Sequence, residues 1–245
     1  EEEAQRLDEV AKALAEEAKR RVGGEVELKS QGGPAVLAQV RRASEIGATN
    51  LRLVGNGITD ASPLAELTKL EELDLWNNQI VDLTPLTALT NLEELDLWGN
   101  RVTDLKPLEG LTKLTKLVLV GNQVTDLNPL AGLISLIKLY LPQNQITDLT
   151  PLADLDKLIK LVLTGNQITD LTPLKELNKL AKLYLSRTQI TDLMPLAKLT
   201  NLRALHLSEN QITDLLPLKD LTNLESLWLS KNQITDLAPI TGQTD

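Results

Sequence analysis

The chain has no cysteine and no phenylalanine, and only one methionine and one histidine in 245 residues. Without thiols there is no disulfide frame, no thiol nucleophile and no thiolate metal site. A single histidine leaves little from which to build a zinc centre. Long hydrophobic runs are also missing. No stretch approaches the roughly 18–20 apolar residues that span a bilayer, and the first residues do not read as a secretory leader. Positive charge is in deficit: the formal net charge is −9, where a nucleic-acid binder would carry a basic footprint. No phosphate-binding glycine loop, dinucleotide fingerprint or nucleophile elbow occurs. The expectation is therefore a non-enzymatic protein with no cofactor, no metal, no nucleic acid and no membrane insertion. The start, EEEAQ, lacks methionine and reads as trimmed or engineered.

What is present is leucine, at a fixed interval. Cutting every 22 residues gives LTKLEELDLWNNQIVDLTPLTA from Leu67 and LTNLEELDLWGNRVTDLKPLEG from Leu89. The register continues without insertion through blocks at Leu111, Leu133, Leu155, Leu177, Leu199 and Leu221. A weaker first copy begins at Leu51, making nine in 51–242. Within a copy, Leu73 and Leu75 alternate with outward Asp74 and Trp76, the period of a strand with one buried face. Asn78 follows at the bend, where its amide can donate to and accept from backbone groups of neighbouring copies. Asp82 precedes Leu-Thr-Pro-Leu, a capped and proline-bearing turn suited to 3₁₀ or irregular structure. No copy buries its leucines alone, so copies must stack into a solenoid whose parallel strands form one long sheet.

The pattern LTNLxxLxLxxNQITDLxPLxx resembles the 22-residue leucine-rich repeat of the internalin family and related bacterial proteins, over about 200 of 245 residues. Intracellular phosphatase regulatory subunits share that repeat length. The resemblance implies a right-handed α/β leucine-rich-repeat solenoid, with a concave parallel sheet and a 3₁₀ or irregular convex side. It also implies a curved, non-enzymatic protein-binding surface and a secreted or cell-surface location. Residues 243–245 do not read as the cell-wall sorting signal or immunoglobulin-like region of that family, so the resemblance alone does not imply surface attachment.

Residues 1–50 read as an α-β-α cap on the first copy, and 243–245 as a tail. An amphipathic helix is expected over 4–22, a short strand in EVELKS, and a second helix from Pro34 through Ile46 with Val36, Val40 and Ala43 on one side. At the other end the last strand, near Trp228, is expected to offer an open sheet edge through which copies could associate.

Function is sought in the variable strand positions, because the leucines only build the scaffold. The position between the strand leucines reads Arg52, Asp74, Asp96, Val118, Tyr140, Val162, Tyr184, His206, Trp228. The position after them reads Val54, Trp76, Trp98, Val120, Pro142, Thr164, Ser186, Ser208, Ser230. Preceding them stand Glu72, Glu94, Lys116, Lys138, Lys160, Lys182, Ala204 and Ser226. All tryptophans, both tyrosines and the histidine fall in the first two columns, where they are expected to be exposed, as interaction sites often are. An acidic third beside Trp76 and Trp98 is followed by a lysine ladder beside Val118, Tyr140, Val162 and Tyr184, then by serines with His206 and Trp228. Arg187, at a strand exit, is expected to carry the basic surface to the rim. The ladder suits an acidic peptide or protein surface. Alternatively, the acidic third of one molecule meets the ladder of another, or the near-identical repeats form an engineered or consensus-like scaffold with no evolved ligand.

Overall fold

The computed structural model describes residues 33–241. The helix expected over 4–22 and the strand in EVELKS lie outside them. Helix α1 (Pro34–Ile46) follows. Pro34 opens it, where a missing N–H costs nothing, and Gly47 closes it in the left-handed conformation. Val36, Val40 and Ala43 are buried, as the sequence spacing requires, together with Gln39.

Nine strands follow among the described residues: β1 (Asn50–Arg52), β2 (Glu72–Asp74), β3 (Glu94–Asp96), β4 (Lys116–Val118), β5 (Lys138–Tyr140), β6 (Lys160–Val162), β7 (Lys182–Tyr184), β8 (Ala204–His206) and β9 (Ser226–Trp228). They pair in chain order as one parallel sheet. Each residue lies beside its equivalent in the next copy, as Leu73 beside Leu95 and Leu95 beside Leu117. Between strands the chain returns through a three-residue 3₁₀ turn with proline second, as in Thr84–Leu86. This is the architecture the repeat period predicts.

Three side-chain devices shape the copies and stack them in register. The strand and turn leucines make one continuous core reaching from Val36 to Leu224. The asparagines form a buried ladder. Asn78 Nδ2 donates to Leu53 O and Leu75 O, both at 2.8 Å, and its Oδ1 accepts from the N–H groups of Asn56 and Ile58. One amide thus satisfies backbone groups in two copies. The aspartates make the third device: in all nine turns the carboxylate accepts from the N–H two residues on, at 2.8 Å. These are Asx-type turns that start each 3₁₀ segment.

The column after each strand carries positive φ. It holds Gly55, Gly99, Gly121 and Gly165, but also Asn77, Gln143, Arg187, Glu209 and Lys231 with φ of 55 to 60°. Glycine pays no steric penalty there, whereas a side chain costs about 1–2 kcal/mol.

Candidate functional site

The in-register stacking turns each variable column into a row of side chains across the sheet. Glu72, Glu94, Lys116, Lys138, Lys160 and Lys182 therefore lie side by side on successive strands. The change of sign falls between β3 and β4, where Lys116 Nζ lies 3.8 Å from Glu94 Oε2. The acidic end has a cation of its own, with Arg52 Nε 3.1 Å from Asp74 Oδ2. Lys138, Lys160 and Lys182 continue the ladder past the ion pair.

The structure corrects the exposure expected of the middle rungs. Val118 and Tyr140 are 0 % exposed and Val162 is 1 % exposed. With Val120 they form a second apolar cluster, on the opposite side of the strands from the leucine core, against which Trp98 and Tyr184 pack. The physical reason is that neighbouring rows close over one another. Large side chains on strands about 4.8 Å apart leave no gap for water, and the lysine stems beside them add apolar cover while keeping their charged ends outward. Lys160 Nζ sits 4.8 Å above the Tyr140 ring centroid and 5.7 Å from that of Tyr184, a cation–π arrangement. Val118, Tyr140 and Val162 thus form a floor, and the lysines form the surface above it.

The remaining aromatics pair with each other. Trp76 and Trp98 stack at 4.8 Å with planes 19° apart. His206 stacks on Trp228 at 4.2 Å and 5°, and meets Tyr184 edge-on at 4.4 Å. His206 Nε2 lies 3.3 Å from Ser226 Oγ, and Ser230 Oγ donates to Ser208 Oγ at 3.0 Å. Rings stacked along the sheet spend faces on each other, so these columns present mainly edges. Trp228, on the last strand, is the most open of the three tryptophans.

Asp96 is the electrostatic oddity. Desolvation of this half-buried group, together with the Asp74 charge on the adjacent strand, pushes its carboxyl up to about 7. The Trp98 N–H, Lys116 and Arg52 oppose that rise without overcoming it. Desolvation also raises the Tyr184 phenol.

Arg187, expected to carry the basic surface to the rim, stands beside an acidic neighbour. Its Nε lies 3.7 Å from Glu209 Oε2, and Lys231 Nζ lies 3.2 Å from Glu209 Oε1. The strand exits of these last copies therefore carry alternating charge. At Thr188 the asparagine ladder breaks. Thr188 Oγ1 reaches Leu185 O at 2.8 Å and Asn210 Oδ1 at 2.7 Å. Its neighbour Asn166 instead donates to Leu141 O and accepts from the Ile146 N–H, and Thr188 makes neither equivalent bond.

One row escaped the sequence reading. The residue just before the ladder reads Glu71, Glu93, Thr115, Ile137, Ile159, Ala181, Arg203, Glu225. Ile159 is 45 % exposed, and Ile134, on the approach to β5, is 54 % exposed. Tabulating one more column shows it: the row turns apolar on three of the four rungs that carry lysine, those of Lys138, Lys160 and Lys182.

Among the described residues there is no grouping of histidine, aspartate and glutamate suited to a metal ion, and no helix is long and apolar enough to cross a membrane.

Comparison with known proteins matches the family described as Leucine Rich repeats (2 copies) over residues 49–88, 90–132, 134–176, 178–220 and 200–242. A comparison with curated protein sequences finds no match. Among solved structures, the chain is similar to an internalin (inlF) of Listeria monocytogenes at 38 % identity and TM-score 0.78. The match covers 80 % of this chain and 59 % of that one. It is also similar to an internalin C2 (inlC2) of the same organism at 40 % identity and TM-score 0.78, covering 80 % of this chain and 93 % of that one. A leucine-rich-repeat protein of Leptospira interrogans matches at 33 % identity and TM-score 0.69, over 72 % of this chain and 47 % of that one. Repeat period, sheet register, asparagine ladder and these likenesses agree: the chain belongs to the leucine-rich-repeat family, as an internalin-like bacterial repeat protein.

Proposed function

We propose that the protein is a non-enzymatic binding module that takes a protein or peptide on the concave side of its sheet. The carrying observation is the run of Lys138, Lys160 and Lys182 on three consecutive, in-register strands above an apolar floor. Like charges about 5 Å apart repel by roughly 0.8 kcal/mol per pair in water before screening. A partner bearing carboxylates relieves that repulsion, which favours an acidic segment. Trp76 and Trp98 at one end, and His206 and Trp228 at the other, flank the ladder and would extend the contact. Likeness to internalins supports a secreted or cell-surface setting.

The test uses Lys138→Glu, Lys160→Glu and Lys182→Glu together. Lys116 is left alone because reversing it would set two carboxylates against each other at Glu94. Circular dichroism should be unchanged, and a partner captured by the native protein should be lost by the variant. Recovery of the same partners by both, or of none by either, overturns the reading. Light scattering at low salt separates self-association: a dimer that the variant abolishes would mean that the partner is a second copy.

A further inference from the structure

We propose that the partner contacts this surface with an amphipathic helix whose acidic and apolar stripes adjoin, laid along the lip where the chain enters strands β5 to β7. The inference rests on the concave-side reading above and names the form of its partner. Three observations carry it.

First, the floor is closed. Val118, Tyr140 and Val162 are already buried by the protein's own side chains, so a ligand gains little apolar contact in the middle of the sheet. Second, apolar residues directly precede the lysines: Ile137, Ile159 and Ala181 stand before Lys138, Lys160 and Lys182, with Ile159 exposed and Ile137 and Ala181 half-buried. The N–H groups of Ile159 and Lys160 both donate to Ile137 O, at 2.9 and 3.1 Å, and those of Ala181 and Lys182 both donate to Ile159 O. The apolar and cationic rows therefore advance together, one rung at a time. On either side the row reverts to Glu71, Glu93 and Thr115, or to Arg203 and Glu225. A ligand that matches only charge would have no use for this coincidence. One with carboxylates and apolar groups in adjacent lines matches both rows.

Third, spacing selects the conformation. Rungs repeat at about 4.8 Å, a helical turn advances about 5.4 Å, and same-face residues of an extended segment repeat at roughly 6.6–6.8 Å. From β5 to β7 the helix drifts out of step by about 1 Å, which flexible lysines absorb. The extended segment drifts by nearly 4 Å, close to a whole rung. A helix in this position uses its stripes as amphipathic helices use apolar faces in other grooves.

Two alanine-based peptides of identical Glu and Leu content test this by fluorescence anisotropy. One places Glu and Leu in adjoining helical stripes. The other alternates them, so that they segregate only when extended. The striped peptide should bind at least tenfold tighter, and Ile137→Ser with Ile159→Ser should remove that advantage. Ile159→Ser alone, at the exposed rung, gives the same test without disturbing the half-buried Ile137. Equal affinities, preference for the alternating peptide, no binding of either, or an advantage that survives the serine variants would each overturn the inference. Lys138→Gln, Lys160→Gln and Lys182→Gln together should weaken both peptides. If both still bind this variant undiminished, the concave-side reading fails as well.

Discussion

At the scale of single residues, the repeats provide internal controls. Thr188 occupies a rung where its siblings carry asparagine, and it leaves unmade the bonds that would reach Leu163 O and the Ile168 N–H. Each such buried bond is worth about 1 kcal/mol. Thr188→Asn should therefore stabilise the protein by roughly 1–2 kcal/mol, read as a higher midpoint in urea at unchanged slope. No gain would mean that the surrounding copies have already adjusted to the threonine. Asp96 makes a second residue-scale prediction. Because its carboxyl is raised to about 7, the folded state holds a proton that the unfolded chain has lost between about pH 4 and that value. Stability therefore falls as pH rises through this window. Asp96→Asn, which keeps an acceptor for the Trp98 N–H, should stabilise by roughly 1–2 kcal/mol at pH 8 after allowance for solvent screening. It should have little effect at pH 4. A pH-independent effect would place the cause in packing instead. The columns themselves were legible in the sequence, because period and alternation fix which residues share a face. The burial of Tyr140 was not, because it depends on what stands on both neighbouring strands and on how far the lysine stems lean over.

At the scale of the element, the turn is where local chemistry does most to set structure. Proline fixes φ and the aspartate three residues before it accepts the segment's first N–H, so each 3₁₀ segment starts at the same place. Where serine or threonine follows, as after Asp60, Asp82, Asp148 and Asp170, its hydroxyl and N–H hold the carboxyl below its usual value. The sign is opposite to that of Asp96. These groups stabilise above the ordinary carboxylate pKa, and that contribution is lost as pH falls below about 4. Turn and strand chemistry therefore pull in opposite directions across the acid range. Aspartate capping could be read from sequence since it acts within three residues. The positive-φ column could have been suspected from its four glycines, but Gln143, Arg187, Glu209 and Lys231 conceal it. There the stacking overrides local preference.

At the scale of the whole molecule, burial is uneven along the axis. Leu215 is 1 % exposed and its equivalent Leu237 is 56 % exposed. Leu227, Leu229, Ile234 and Ile240 pack only partly against the core. Nearest-neighbour stacking makes each copy depend on the next, so the ninth should open first. Hydrogen exchange should show less protection at β9 than at β4–β6, where the residue between the strand leucines is buried as well as the leucines themselves. Equal protection throughout would indicate that the solenoid opens only as one cooperative unit. The second apolar cluster spans β4 to β6, so the middle of the arc should be its stiffest part. Sequence period determined the order of the strands and their parallel pairing, because only one register places leucine on leucine. It left open which part of the sheet stands clear, because that depends on the packing of several rows at once.

The asparagine ladder also makes the molecule adjustable in length. From Asn78 on, each asparagine of the ladder reaches a carbonyl in its own copy and one 25 residues back, and accepts an N–H from 20 residues back, as Asn166 does. Cutting out or inserting 22 residues between equivalent positions within the asparagine-bearing copies leaves each of those rungs with the same kinds of partner. A change of any other size strands buried amides on both sides of the joint. The reach of the binding surface can therefore change only in whole rungs of about 4.8 Å.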